Sequence, residues 1–267
     1  MNESIIRIFV SQGLLALMLI LEFLIPLRDT SNGRIQRWIQ NFGLGILNTI
    51  LIRLSVKAIA YTSAIYFQSR GIGLLNLEFI NSSNFQLGSI ILTILILDLA
   101  IYFQHRVSHS LPFLWKFHKV HHTDIEFDAS TSVRFHPIEI IFSMIYKLFI
   151  IMLLGANPIG VVLFEIILNA GSTFNHSNIK IPKFFENVLR YFIVTPDMHR
   201  IHHSVLPMET NSNYSFSVSI WDRIFKTYRE DSSSEQENMP IGLEKFRSQL
   251  SWKEIVTLPF YRESNNS

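Results

Sequence analysis

The sequence predicts an all-α fold: a polytopic membrane helix bundle of about five spans, closed on one side by a cap of polar helices. Three observations predict it. Hydrophobic residues make up 48% of the 267 residues and gather in long runs rather than alternating with polar ones. Five of those runs approach the ~20 apolar residues that cross a bilayer. The polar remainder falls into 105–136 and 175–267, which adjoin the ends of the runs, so a single domain is expected.

The runs follow in order. The first, 8–27, has no basic stretch before it and no small-residue cleavage site, so it reads as a retained span rather than a signal peptide. The second, 42–67, carries Arg53 and Lys57 four residues apart, on one helix face that points into the bundle or snorkels. The third covers 88–104. The fourth and fifth, 137–154 and 158–174, are joined only by Gly-Ala-Asn-Pro, a tight hairpin that puts Pro158 at a helix start. The count falls to four if the first helix lies at the interface. The patch Glu230–Asn238 is expected as a surface loop.

Lys and Arg alternate between the connections. Arg28, Arg34 and Arg37 follow the first run, and Arg106, Lys116, Lys119 and Arg134 follow the third. Only Arg70 follows the second, and the hairpin between the fourth and fifth has none. The positive-inside rule then puts the N-terminus outside and the cap in the cytoplasm. A net charge of +2 without a dense basic patch predicts no nucleic-acid partner. The absence of cysteine excludes disulfides, thiolate metal sites and iron–sulfur clusters, so any metal has nitrogen or oxygen ligands.

Ten histidines carry the functional signal: His105, His109, His118, His121, His122, His136, His176, His199, His202 and His203. His-x-x-His-His occurs twice, as His118–His122 and His199–His203. At this frequency of histidine a given position opens that pattern by chance about once in 20,000. Residues i, i+3 and i+4 share a helix face, so each copy presents three imidazoles on one side. His105 and His109 stand at i and i+4, at the end of the third run. Thr195-Pro196 reads as the cap and first residue of a helix opening before His199, and His136-Pro137 opens the fourth run in the same way. In the orientation above, His105, His109, His136 and His176 all fall at cytoplasmic span ends. Asp98, seven residues before His105 on the same face, is expected to ligate a metal, to partner a ligand, or to pair with Arg53 or Lys57.

Imidazole suits zinc, copper and iron. Ten imidazoles exceed what one ion uses, so two ions are implied. No Glu-x-x-His occurs, which sets the chain apart from ferritin-like carboxylate sites. A metal transporter or a metal-binding membrane protein without redox chemistry is the main rival. A transporter should carry ionisable residues at the middle of several spans, whereas Lys147 and Glu165 are single. A zinc hydrolase should show His-Glu-x-x-His, which is absent.

The stretches DLAIYFQHRVSH (98–109), HKVHH (118–122), RFHPIE (134–139), NHSN (175–178), TPDMHRIHHS (195–204) and NYSFSVSIWDRIFKTY (213–228) together resemble the membrane fatty acid hydroxylase/sterol desaturase superfamily. They cover 98–228 in order and look closer to its sterol desaturase/hydroxylase branch than to acyl-CoA desaturases. The resemblance implies an oxygen-dependent di-iron oxidoreductase that hydroxylates or desaturates a membrane lipid, whether sterol, fatty acyl or related. It implies two iron ions (Fe2+/Fe3+) held by the eight histidines of the three boxes, with His136 and His176 as the remaining ligands. It also implies O2 as co-substrate and a lipid taken from the bilayer. No fused cytochrome b5 domain is seen, so a separate electron donor of cytochrome b5, ferredoxin or reductase type is expected. The expected location is the cytoplasmic face of a bacterial inner membrane, or of the endoplasmic reticulum in a eukaryote.

Overall fold

Long apolar helices stand beside one another, and short, sharply capped helices cross their ends. The computed structural model describes residues 3–29, 33–55, 60–77 and 85–261. Regular structure among them is helical, with isolated β-bridges only. Three helices are long and apolar enough to cross a membrane: α4 (Gln86–Ser110), α6 (Pro137–Leu154) and α7 (Pro158–Asn175), numbered in chain order. Their most apolar windows have mean hydropathies of 2.0, 2.0 and 1.2. The first expected span is α1 (Glu3–Leu24), whose apolar part, Phe9–Leu24, is shorter.

The second expected span differs most. Two helices carry it, α2 (Arg34–Ser55) and α3 (Ala60–Ser69); Lys57 lies outside the described residues and Arg53 is exposed. The reason lies in the first half of α2. Arg37, Gln40, Asn41 and Asn48 are buried, and they bond to the cap instead of facing lipid. Arg37 pairs with Asp124 and Asp128, Gln40 donates to Leu250 O, and Asn48 donates to Phe135 O. An average hydropathy hides such a polar face.

The α6–α7 hairpin forms as its four residues dictate. Gly155 takes the left-handed conformation (φ 63°) that ends α6, and the Asn157 side chain accepts from the backbone N–H of Ile159 and Gly160 to start α7. Gly160 also lets α7 approach α4, since a Cβ there would stand 2.7 Å from that of Thr93. Ile151, Leu154, Val161 and Phe164 of the hairpin pack with Leu97 and Ile101 of α4 and with Ala60 and Ala64 of α3. This core ties α4, α6 and α7 together at the hairpin end, and His105 and His109 of α4 and His176 after α7 stand at the opposite, cap-side ends.

Candidate metal centre

Short helices aim the imidazoles. α5 (Pro112–His122) begins at a proline, and α9 (Pro196–His202) begins at the Thr195 side chain, which accepts from Met198 N. Both carry a His-x-x-His-His, and the two copies face each other. Nine of the ten histidines converge in two groups, His105, His109, His118, His122 and His202 in one and His121, His176, His199 and His203 in the other. Within each group the ligand atoms lie within 4.8 Å of one another.

This grouping explains why the pattern is spelled twice. The i and i+4 imidazoles of each copy, one turn apart, stay together: His118 with His122, and His199 with His203. The i+3 imidazole sits to the side of that pair and crosses to the other group. Thus α5 lends His121 to the group built on α9, and α9 lends His202 to the group built on α5.

Backbone carbonyls fix the tautomers. A carbonyl only accepts, so the ring nitrogen facing it must carry the proton. His105 Nδ1 donates to Tyr214 O (2.7 Å), His202 Nδ1 to Ser212 O (2.8 Å), His121 Nδ1 to Arg134 O (3.2 Å) and His176 Nδ1 to Ser172 O (2.7 Å). Each of these rings then turns a lone pair inward on Nε2. His121 Nε2 and His176 Nε2 face at 3.1 Å, two acceptors with no proton between them. The Nε2 atoms of His105, His109 and His202 and both ring nitrogens of His203 are buried without a hydrogen-bond partner. Burial pushes His121, His122, His199 and His203 well below the usual imidazole range, His176 down to about 4 and His202 to about 3. Neutral, converging lone pairs without protons need a cation, and a transition metal with nitrogen preference fits this donor set.

The supports around the rings are more extensive than the sequence suggested. Glu139 Oε1 accepts from His118 Nδ1 at 2.6 Å. The loop that supplies Ser212 O and Tyr214 O is clamped by Asp222, which accepts from Tyr214 N, Ser215 N and Thr227 Oγ1. Asn213 takes a left-handed φ of 51° and donates to Met198 O and Arg229 O. Arg134, whose carbonyl orients His121, is tied to Asn41 Oδ1, Thr123 Oγ1 and Val120 O. Beside it Asp124 accepts from Arg37, Asn41 and Thr131; burial opposes its charge, but the Arg37 and Arg134 guanidiniums hold its carboxyl at about 2. Phe127, also left-handed (φ 51°), is fully buried, with its ring 4.9 Å from that of His203 and 5.5 Å from that of His176.

Two expected residues are not at the rings. His136 stands in neither group: its Nδ1 accepts from Ile138 N and its Nε2 donates to Val256 O, so the imidazole is spent as the cap of α6. Among the described residues Asp98 forms no ion pair and is in neither histidine group: its Oδ2 accepts from Trp221 Nε1 at 2.8 Å, and the expected pairing with Lys57 lies outside the described residues. Glu139 lay within the RFHPIE stretch (134–139) but was not among the expected site residues. An acidic residue one turn into a helix that starts at a histidine box was the available signal, because a ligating imidazole usually gives its other N–H to a carboxylate or carbonyl.

Residues 90–227 match the model of the fatty acid hydroxylase family. The chain belongs to the fatty acid hydroxylase family. The matched region contains all ten histidines and the whole Asp222 clamp, so the family's shared part coincides with the centre just described. An ornithine lipid hydroxylase of Rhizobium tropici is 31% identical over 143 residues, 52% of this chain and 41% of that protein. An alkylglycerol monooxygenase of Xenopus tropicalis is 30% identical over 140 residues, 51% of this chain and 30% of that protein. A very-long-chain aldehyde decarbonylase of Oryza sativa subsp. indica is 25% identical over 164 residues, 58% of this chain and 24% of that protein. The chain therefore spans less than half the length of each of these relatives. No solved structure matches it.

Proposed function

We propose that the chain is a membrane non-haem di-iron monooxygenase or desaturase acting on a lipid drawn from the bilayer. The observation that supports it most is the pair of buried, all-imidazole groups at the cap-side ends of apolar helices. His105, His109, His118, His122 and His202 would hold one iron, and His121, His176, His199 and His203 the other. Iron bound there would supply reductive activation of dioxygen with two electrons and two protons: hydroxylation would place one oxygen atom in the lipid and release the other as water, and desaturation would release both as water. A separate donor of cytochrome b5, ferredoxin or reductase type supplies the electrons, on the cytoplasmic face.

The protein's own residues do the rest. The carbonyls of Tyr214, Ser212, Arg134 and Ser172 keep the imidazoles in one tautomer and orientation, so the ligand set is ready before the ions arrive. Eight of the nine residues are buried and His109 is partly so, which would keep bulk water from the reacting oxygen. A cavity of about 190 Å3 lies between α4, α5 and α6, lined by Phe103, Val107, Leu114, Phe117, Phe142 and Glu139. Its apolar wall beside the Glu139–His118 bond suits a stretch of lipid chain. The names of the relatives, a lipid hydroxylase, an alkylglycerol monooxygenase and an aldehyde decarbonylase, agree with lipid oxidation but differ in substrate.

The test is mass spectrometry of membrane lipids from cells with and without the chain, supplied with iron and air. A lipid that gains one oxygen atom, or loses two hydrogens, only when His121 and His202 are intact supports the reading. Two bound ions with no O2- or reductant-dependent change in any lipid would leave a metal-binding protein without redox chemistry.

A further inference from the structure

We infer that part of the cap is immersed in the membrane: the paired segments 191–193 and 217–224 form a re-entrant foot whose apolar side chains lie in the hydrocarbon of the cap-side leaflet. The inference rests on α4, α6 and α7 crossing the bilayer, and is independent of the chemistry at the histidines.

The depth follows from Asp98. This residue lies seven positions before His105 on α4, about 10 Å further from the cap at the rise of an α-helix. The 18 residues of α6 measure only about 27 Å, against roughly 30 Å of bilayer hydrocarbon, so α6 needs its whole length to cross. Tyr146, midway along α6, donates its hydroxyl to Ala100 O at 3.2 Å, which puts the neighbourhood of Asp98 near mid-height of α6. Asp98 is therefore well inside the apolar layer. Yet the residues that reach it come from the cap: Trp221 Nε1 donates to Asp98 Oδ2 at 2.8 Å and Val218 N at 3.5 Å. Phe225, on the same segment, stacks on Tyr102 of α4 at 5.3 Å.

Non-helical backbone survives at that depth where its N–H and C=O groups are paired within the protein, and the two segments bond to each other and to Asp98. Val194 N donates to Ser217 O (3.0 Å) and Ser219 N to Phe192 O (3.3 Å), while Asp98 takes the N–H of Val218. Arg223, the cation in this foot, turns onto the ring of Tyr228 at 3.7 Å and donates to Arg190 O, as a snorkelling side chain does. The outward side chains are large and apolar: Tyr191 is 64% exposed, Phe192 68%, Ile220 42% and Ile224 55%. Phe184 and Phe185 on the preceding α8 (Lys183–Leu189) are exposed as well. Facing water, this would be an unusually large apolar patch; facing acyl chains and headgroups, it is an anchor.

The chain has no cysteine, so Phe192→Cys and Ile224→Cys each accept one nitroxide label at an outward position. In vesicles of phosphatidylcholine, both labels should collide more with dissolved O2 than with a water-soluble nickel chelate, as Leu95→Cys on the exposed side of α4 should. Ser234→Cys in the polar loop should show the reverse. A lipid-borne carbene on the unsubstituted protein should mark the peptides containing Phe192 and Ile224 as well as those of α4. Nickel-dominated collisions at 192 and 224, or carbene marking confined to the long helices, would overturn the foot. A nickel-dominated Leu95 would also overturn it, by removing the spans on which its depth rests.

Discussion

Glu139 Oε1 accepts the Nδ1 proton of His118 at 2.6 Å, which makes a carboxylate on α6 the orienting partner of an imidazole on α5. Removing it as Glu139→Ala should lower metal affinity or turnover by about 10–100-fold while leaving the protein folded, because ligand imidazoles lose that much without the group behind them. Glu139→Gln keeps an acceptor oxygen and should retain more of both. Iron content after dialysis against a chelator, read beside the thermal midpoint, checks this. Equal metal retention in the Ala variant and the parent would sink it.

The exchanged histidines make a sharper case. His121→Ala takes the four-imidazole group to three, and His202→Ala takes the five-imidazole group to four. Metal analysis should find the larger loss in His121→Ala, and neither variant should turn over a lipid if, as proposed, the two-electron reduction of O2 draws on both ions. Loss of both ions to the same extent in the two variants would contradict the grouping.

His136→Ala should behave differently from every other histidine variant. Its imidazole caps α6, so its removal should cost about 1 kcal/mol of stability and leave metal content unchanged. His136→Asn, another good cap, should restore the thermal midpoint. Metal lost from His136→Ala and not regained in His136→Asn would return His136 to the ligands.

Acid should destabilise the metal-free protein early. An imidazole takes up its proton near 6.5 in an unfolded chain. In the fold burial holds off protonation until about 4 at His176 and about 3 at His202. Between these values the unfolded chain binds more protons, so stability is complete above 6.5 and falls as pH drops, by about 1.4 kcal/mol per pH unit for each such ring. Chemical denaturation at pH 7, 6 and 5 tests the slope; a flat profile means these rings are already charged in the fold.

Much of the centre could be read from the sequence because helical spacing is local. The i, i+4 pairs His105/His109, His118/His122 and His199/His203 share a group, as a period of 3.6 residues requires. The crossing of His121 and His202 was not legible, since it depends on how α5 and α9 dock. His136 was grouped with the ligands because its position at a span end matched the others; the structure places it outside both groups, in the capping role that His-Pro at a helix start also offered. Asp98 lies on α4, as its run implied, but its partner, Trp221, is 123 residues away and in no shared pattern. The long apolar runs gave α4, α6 and α7, whereas α2 hid its buried Arg37, Gln40 and Asn41 within an apolar average.

The exchange between α5 and α9 also governs how the protein can be divided. A chain cut between residues 122 and 196 would leave each fragment with an incomplete set, because the fragment bearing α5 lacks His202 and the fragment bearing α9 lacks His121. Neither half is a miniature one-ion protein. An ion held in each group would rivet both pieces, so on the proposed reading reassembly of the fragments should require metal, and removal of metal should release them together.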